Sequence, residues 1–119
     1  MQRNMDLCRD ILIYVESLEF KSVPQKVELE NYSEEEIAYH LKLLSQAGLI
    51  DAEDISNSTQ EIRWRVYSLT WSGHEFVEAS RNNSRWLAAK ETIKKNGVGM
   101  AFEVIKELLI TSAKEALGN

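Results

Sequence analysis

SEEEIAYHLKLLSQAG, residues 33–48, followed directly by LIDAEDISNSTQEIRWRVYSL, residues 49–69, is the stretch that decides the fold. Ser33 is a good N-cap residue and Glu36 stands three positions on, so each side chain can accept from the other's backbone N–H in a capping box. Ile37, Leu41 and Leu44 follow at spacings of four and three, which predicts a helix over 33–47 with one apolar stripe. Gly48 can take positive φ and stop it. Leu49 to Ile55 and Glu61 to Leu69 are β-leaning runs, and the polar residues 56–60 between them read as a turn. One conflict sits in the second run. Ile62, Trp64 and Val66 share one face while Tyr67 and Leu69 fall on the other, so a bulge or burial on both faces is required.

Upstream, Met5, Cys8, Leu12, Val15 and Leu18, with Ile11 beside them, recur every three to four residues and predict a helix over 5–19. Phe20 to Tyr32 holds the only proline, Pro24. The alternation Val27-Glu28-Leu29-Glu30 suits a short extended piece near 27–30 better than a helix. Downstream, Thr70 can cap a helix over 70–81 that carries Phe76, Val77 and Ser80. Asn82-Asn83-Ser84 interrupts the pattern, and Ser84 or Asn83 can cap a helix over 84–95 bearing Trp86, Leu87 and Ile93. Gly97-Val98-Gly99 ends that helix. A last helix over 100–117 has an apolar stripe wider than one packed face requires.

Helix, glycine and hairpin in this order are those of a winged helix. The expected fold is α+β and mostly helical: a winged-helix domain with a β-hairpin wing and a C-terminal helical extension. In a helix-turn-helix the first helix crosses the DNA backbone and braces the second in the major groove. Here at most one helical turn fits in the bracing position, so the helix-turn-helix is degenerate. At 119 residues with 44% apolar composition the chain is expected to be a single domain, with a core over about 5–81 and the extension over about 84–117.

A net charge of −5 weighs against a generic nucleic-acid coat, because phosphate affinity comes mostly from Lys and Arg. Only the stretch 70–96 is net positive. The single Cys8 can make no internal disulfide and lies in an apolar stripe, which fits a reducing, cytosolic setting. The N-terminus has no apolar signal core, and the run Ile11 to Val15 is far too short to span a bilayer, so no membrane partner is expected.

Several blocks together carry a family likeness: Met5-Asp6-Leu7 with Arg9, Tyr32-Ser33-Glu34-Glu35-Glu36-Ile37, Tyr39-His40-Leu41, Leu43-Leu44, Ala47-Gly48-Leu49-Ile50, and Leu69-Thr70-Trp71 with Gly73-His74-Glu75-Phe76. Over nearly the full chain the sequence resembles an uncharacterised bacterial and phage family, domain of unknown function 2513. The resemblance implies a winged-helix-like fold and brings no established activity.

The outward face of helix 33–47 should present Glu35, Tyr39, Lys42 and Gln46. Lys42 and Gln46 could meet a phosphate or a base edge. Glu34, Glu35 and Glu36 occupy the turn where a recognition helix meets bases, and they also suit the positive end of the helix dipole. On the wing, Arg63 and Arg65 lie two apart and share a face, placed either for phosphate or for cross-strand pairing with Asp51, Glu53, Asp54 or Glu61. Arg81, Arg85 and Lys94, with Lys90, Lys95 and Trp86 among them, could track a phosphate backbone, although Lys at a helix C-terminus also simply suits the dipole.

Enzymatic readings find less. His40 and His74 lie in different predicted helices with no Cys or paired acid at metal-ligand spacing, and each reads as a hydrogen-bonded packing residue. No nucleophile elbow or phosphate-binding glycine loop is present. No catalytic residue, metal site or cofactor is assigned. Two functions are expected: a DNA-associated regulator, or a protein-interaction module that keeps the scaffold without reading the groove. The wide apolar face of helix 100–117 predicts a homodimer through that helix, since symmetric dimers are the commonest soluble oligomers.

Overall fold

The computed structural model describes residues 1–58, 61–95 and 102–118. Among them the elements run α1 (Met5–Ser17), α2 (Glu34–Gln46), β1 (Ile50–Asp54), β2 (Trp64–Leu69), α3 (Trp71–Ser80), α4 (Asn83–Lys95) and α5 (Phe102–Gly118). Met1–His74 form one compact unit and Glu75–Asn119 a second.

The first unit is built on α1 and α2, which pack on each other and on β2. Asn4 starts α1: its side-chain oxygen accepts from the N–H groups of Asp6 and Leu7 at 3.0 and 3.2 Å, satisfying donors that the first turn leaves unpaired. The stripe behind it, Leu7, Cys8, Ile11, Leu12 and Val15, is buried. The helix stops at Ser17, two residues short of the predicted end, because Leu18 turns extended and its N–H closes onto the Val15 carbonyl.

No residue between α1 and α2 is helical, so the bracing helix is absent. The chain instead runs extended past Pro24, and Gln25 exchanges two backbone hydrogen bonds with Val66 at 2.8 and 2.9 Å. The extended contact therefore falls at Gln25, slightly before the predicted 27–30. Val27 next to it is buried. β2 lies between this bridge and β1, so Val66 is wholly enclosed.

α2 begins as its sequence requires. Ser33 Oγ accepts from the Glu36 N–H at 3.1 Å and the Glu36 carboxylate accepts from the Ser33 N–H at 3.2 Å. Ile37, Leu41 and Leu44 are buried, with Ala38 and His40. At its end Gly48 has φ of 76°, and the Leu49 N–H reaches back to the Leu44 carbonyl at 3.0 Å. That is the Schellman arrangement, in which the residue at positive φ lets an orphan carbonyl be satisfied.

β1 and β2 pair antiparallel, with Asp51 opposite Ser68 but Ala52 opposite Val66. Tyr67 is the extra residue of a β-bulge. Without it Val66 and Leu69, three apart, would face opposite ways; with it both are buried. The predicted conflict is thus resolved by a bulge and not by two covered faces. Of the turn residues 56–60, Thr59 and Gln60 lie outside the described residues. Ser56 pins the hairpin's base, its hydroxyl accepting from the Arg63 N–H at 2.9 Å.

Thr70 caps α3, accepting from the Gly73 N–H at 3.1 Å while its hydroxyl donates to the Gly48 carbonyl at 2.7 Å. In the second unit, Asn82 caps α4, its side chain accepting from the Arg85 N–H at 3.0 Å. This corrects the expectation of Ser84 or Asn83: the helix starts at Asn83, so the capping position falls on the residue before it. Trp86, Ala89 and Ile93 are buried, whereas Leu87, which the sequence reading put on the same helix beside Trp86, is 58% exposed. α4 packs on α5, which buries Ile105 and Leu109. The predicted stop at Gly97-Val98-Gly99 and the start of the last helix at Met100 and Ala101 lie outside the described residues. No described helix is long and apolar enough to cross a membrane.

Candidate nucleic-acid interface

α2 turns Glu35, Lys42 and Gln46 to solvent, with Tyr39 half-buried. The Tyr39 ring meets His40 edge-on at 5.6 Å, which makes it a poor reader of bases. In the first turn Glu36 is committed to the cap, and Glu34 accepts from Lys26 Nζ at 2.8 Å. Lys26 holds the Glu34 carboxyl below its usual range, mainly through this hydrogen bond, and Arg63 and Arg65 add smaller effects of the same sign.

The hairpin arginines, Arg63 and Arg65, do not form the cross-strand ion pairs that the sequence allowed. Glu53 stands opposite Arg65 in the register, but its carboxylate accepts from the Tyr67 hydroxyl at 2.9 Å, a bond that also raises the Tyr67 pKa. Arg65 Nη1 donates to the Trp64 carbonyl at 3.1 Å. Lys26 makes ion pairs to Glu34 at 2.8 Å and to Glu28 at 3.8 Å. Arg63 is exposed and has no ion pair among the described residues.

Arg63, Arg65, Lys26 and Glu34 instead meet around one small pocket of about 70 Å³ between α2 and the hairpin. Its apolar lining includes Ile37, Leu41 and Trp64. Lys26 and Glu34 were not among the predicted contacts. The only hint was their charge, because nothing local says that residue 25 pairs with residue 66.

Arg81, Arg85 and Lys94 belong to the second unit, where Arg81 and Lys94 are exposed and Arg85 half-buried. Trp86 is not a stacking platform beside them. It is 2% exposed, meets Phe76 edge-on at 6.0 Å and carries Lys90 Nζ 5.8 Å from its ring centre. Trp71, on the first turn of α3, is by contrast 82% exposed.

The histidines divide. His40 is 1% exposed; its Nε2 lies 2.8 Å from the Asn4 N and its Nδ1 2.8 Å from the Glu36 carbonyl. Since the Asn4 N–H can only donate and the carbonyl can only accept, the imidazole is neutral with its proton on Nδ1. It is a packing residue, as expected, and ties the start of α1 to α2. His74 is exposed, so the same reading fails for it: it lies in the first turn of α3 next to Gly73, not on the buried Phe76 and Val77 side. Among the described residues no three of His, Cys, Asp and Glu gather as metal ligands. Burial pushes the Cys8 thiol up to about 11, far from a reactive thiolate at neutral pH.

These features make the first unit a small α+β unit with a bulged two-stranded hairpin after a capped helix, and with Lys26, Arg63 and Arg65 grouped around a pocket between α2 and the hairpin. The chain belongs to the family described as "Hypothetical protein (DUF2513)", which it matches over residues 2–99. It is also similar to an "Uncharacterized protein" of Haemophilus influenzae, 36% identical over 118 residues that cover 98% of this chain and 99% of the relative. No solved structure gives a significant match.

Proposed function

We propose that this is a cytosolic, non-enzymatic winged-helix protein, carried by bacterial or phage genomes, that associates with duplex DNA as a regulator and grips it through the hairpin. One observation carries the reading: Arg63 and Arg65 converge with Lys26 on one pocket and are not consumed by the acids of the hairpin. α2 contributes little to this grip, because its leading turn is acidic and no bracing helix precedes it.

So few cations imply modest affinity and a log–log salt slope no steeper than about −3, at about 0.9 per phosphate contact. Fluorescence anisotropy with random-sequence duplex at about 50 mM salt, where screening is weak, tests it. Arg63→Ala should weaken binding to every sequence and flatten the slope by about 0.9, while Glu35→Gln should strengthen binding by removing repulsion. A flat titration up to tens of micromolar protein would sink the DNA reading.

The rival is a protein-interaction module, favoured by the exposed Trp71 indole, since Trp is enriched at interaction hot spots. It forecasts no duplex binding even at low salt.

A homodimer through α5 belongs to the same proposal. Besides the buried Ile105 and Leu109, Val104, Leu108 and Ile110 are half-exposed and Leu117 is 89% exposed. Light scattering at micromolar concentration should give twice the 13.7 kDa chain mass; the single chain mass would refute the dimer.

A further inference from the structure

Glu34 projects from the first turn of α2, where the helix dipole favours an anion, and its carboxylate accepts from Lys26 in the pocket that Arg63 and Arg65 also line. An acid is thus already seated among the cations that the wing would offer to a phosphate. The seat is shallowly held. The side chains of Lys26 and Glu34 are 43% and 83% exposed, and exposed ion pairs contribute little net stability. Glu34 is not needed to start the helix, because Ser33 and Glu36 form the capping box without it. Its neighbour Glu35 carries the same charge on the same turn with no ion pair among the described residues.

We infer that Glu34 is the resident counter-ion of the Lys26/Arg63/Arg65 pocket, and that a phosphate group binds there by displacing it, so that the first turn of α2 masks the wing. The inference rests on the reading of the hairpin as a phosphate-binding surface and adds its regulation: phosphate affinity is set by competition with an internal carboxylate. Pyrophosphate carries more charge and more acceptor oxygens than a carboxylate, and a duplex presents several singly charged phosphates in a row, so either can engage several of these cations at once. The released Glu34 side chain is solvated at small cost.

Two probes test this, inorganic pyrophosphate followed by amide chemical shifts of Lys26, Arg63 and Arg65, and random-sequence duplex followed by anisotropy. Glu34→Gln should bind both about two- to fivefold more tightly than the parent, the range that removing one exposed ion pair implies. Glu35→Gln should gain clearly less, and Arg63→Ala added to Glu34→Gln should cancel most of the gain.

Equal gains from Glu34→Gln and Glu35→Gln would show a general charge effect and overturn the masking, while leaving the DNA reading intact if Arg63→Ala still weakens duplex binding. A Glu34→Gln gain confined to pyrophosphate, with duplex flat for every variant, would uphold the masked anion site and remove DNA as its ligand. Lower thermal stability of Glu34→Gln with unchanged affinity for both probes would make the Lys26 bridge a staple only, and would overturn the inference.

Discussion

Gly73→Ala is expected to cost about 3 kcal/mol, near the upper end for overpacking a closed site, out of the 5–15 kcal/mol that hold a typical domain folded. Gly73 lies in the first turn of α3, and a Cβ placed there would run into the backbone carbonyl of Leu49 and crowd Leu69 Cβ at 3.3 Å. The obstacle is backbone and cannot rotate away. It is also occupied, because the Leu49 carbonyl accepts from the Thr70 N–H at 3.0 Å and the Thr70 hydroxyl bridges the Gly48 carbonyl and the Gly73 N–H. Moving the helix start outward would break the two bonds that tie Thr70 to Gly48 and Leu49. Gly48→Ala provides the comparison. A Cβ there meets nothing, so only the strain of positive φ is added, about 1–2 kcal/mol. Urea melts of the two variants distinguish the causes, and a loss at Gly73 no larger than that at Gly48 would mean that α3 does not approach Leu49 so closely.

Leu41→Ala should cost about 2–5 kcal/mol, the range for truncating a fully enclosed leucine whose surroundings collapse only partly. Leu41 is 1% exposed on the central turn of α2, the helix that packs on α1, β1 and β2. Gln46→Ala, on the exposed end of the same helix, should stay within about 0.5 kcal/mol. Equal small losses in denaturant melts would mean that the helix presents its other side to the core. Leu41 also lines the Arg63/Arg65 pocket, so at equal folded fraction its truncation should perturb the amides of those arginines more than Gln46→Ala does.

The candidate site was legible only in part. Arg63 and Arg65 stood out because a two-residue spacing puts both on one face of a strand. Their surroundings did not, because opposite charges near in sequence suggested pairing that the strands do not make. Glu53 is opposite Arg65 yet spends its carboxylate on Tyr67, a choice set by the bulge that displaces Tyr67. Trp86 stands among Lys and Arg in the sequence, and the packing of α4 encloses it with Ala89 and Ile93.

What the sequence by itself determined are the features whose causes lie within about four residues. The Ser33–Glu36 box, the Ile37/Leu41/Leu44 stripe and Gly48 set the start, face and end of α2. The period of α1 and the cap at Thr70 are of the same kind, whereas strand parity left a bulge or burial on both faces open in the second run, and only the pairing with β1 selected the bulge. Tertiary structure alone decided what depends on partners far apart in the chain. Gln25 pairs with Val66, His40 takes the Asn4 N–H, Gly73 presses on Leu49, and Lys26 and Glu34 join the hairpin arginines. The physical reason is that helices and caps close their hydrogen bonds locally, whereas strand register, backbone approach and the grouping of charges depend on which distant segments pack together, and that is settled only when the apolar stripes are buried against one another.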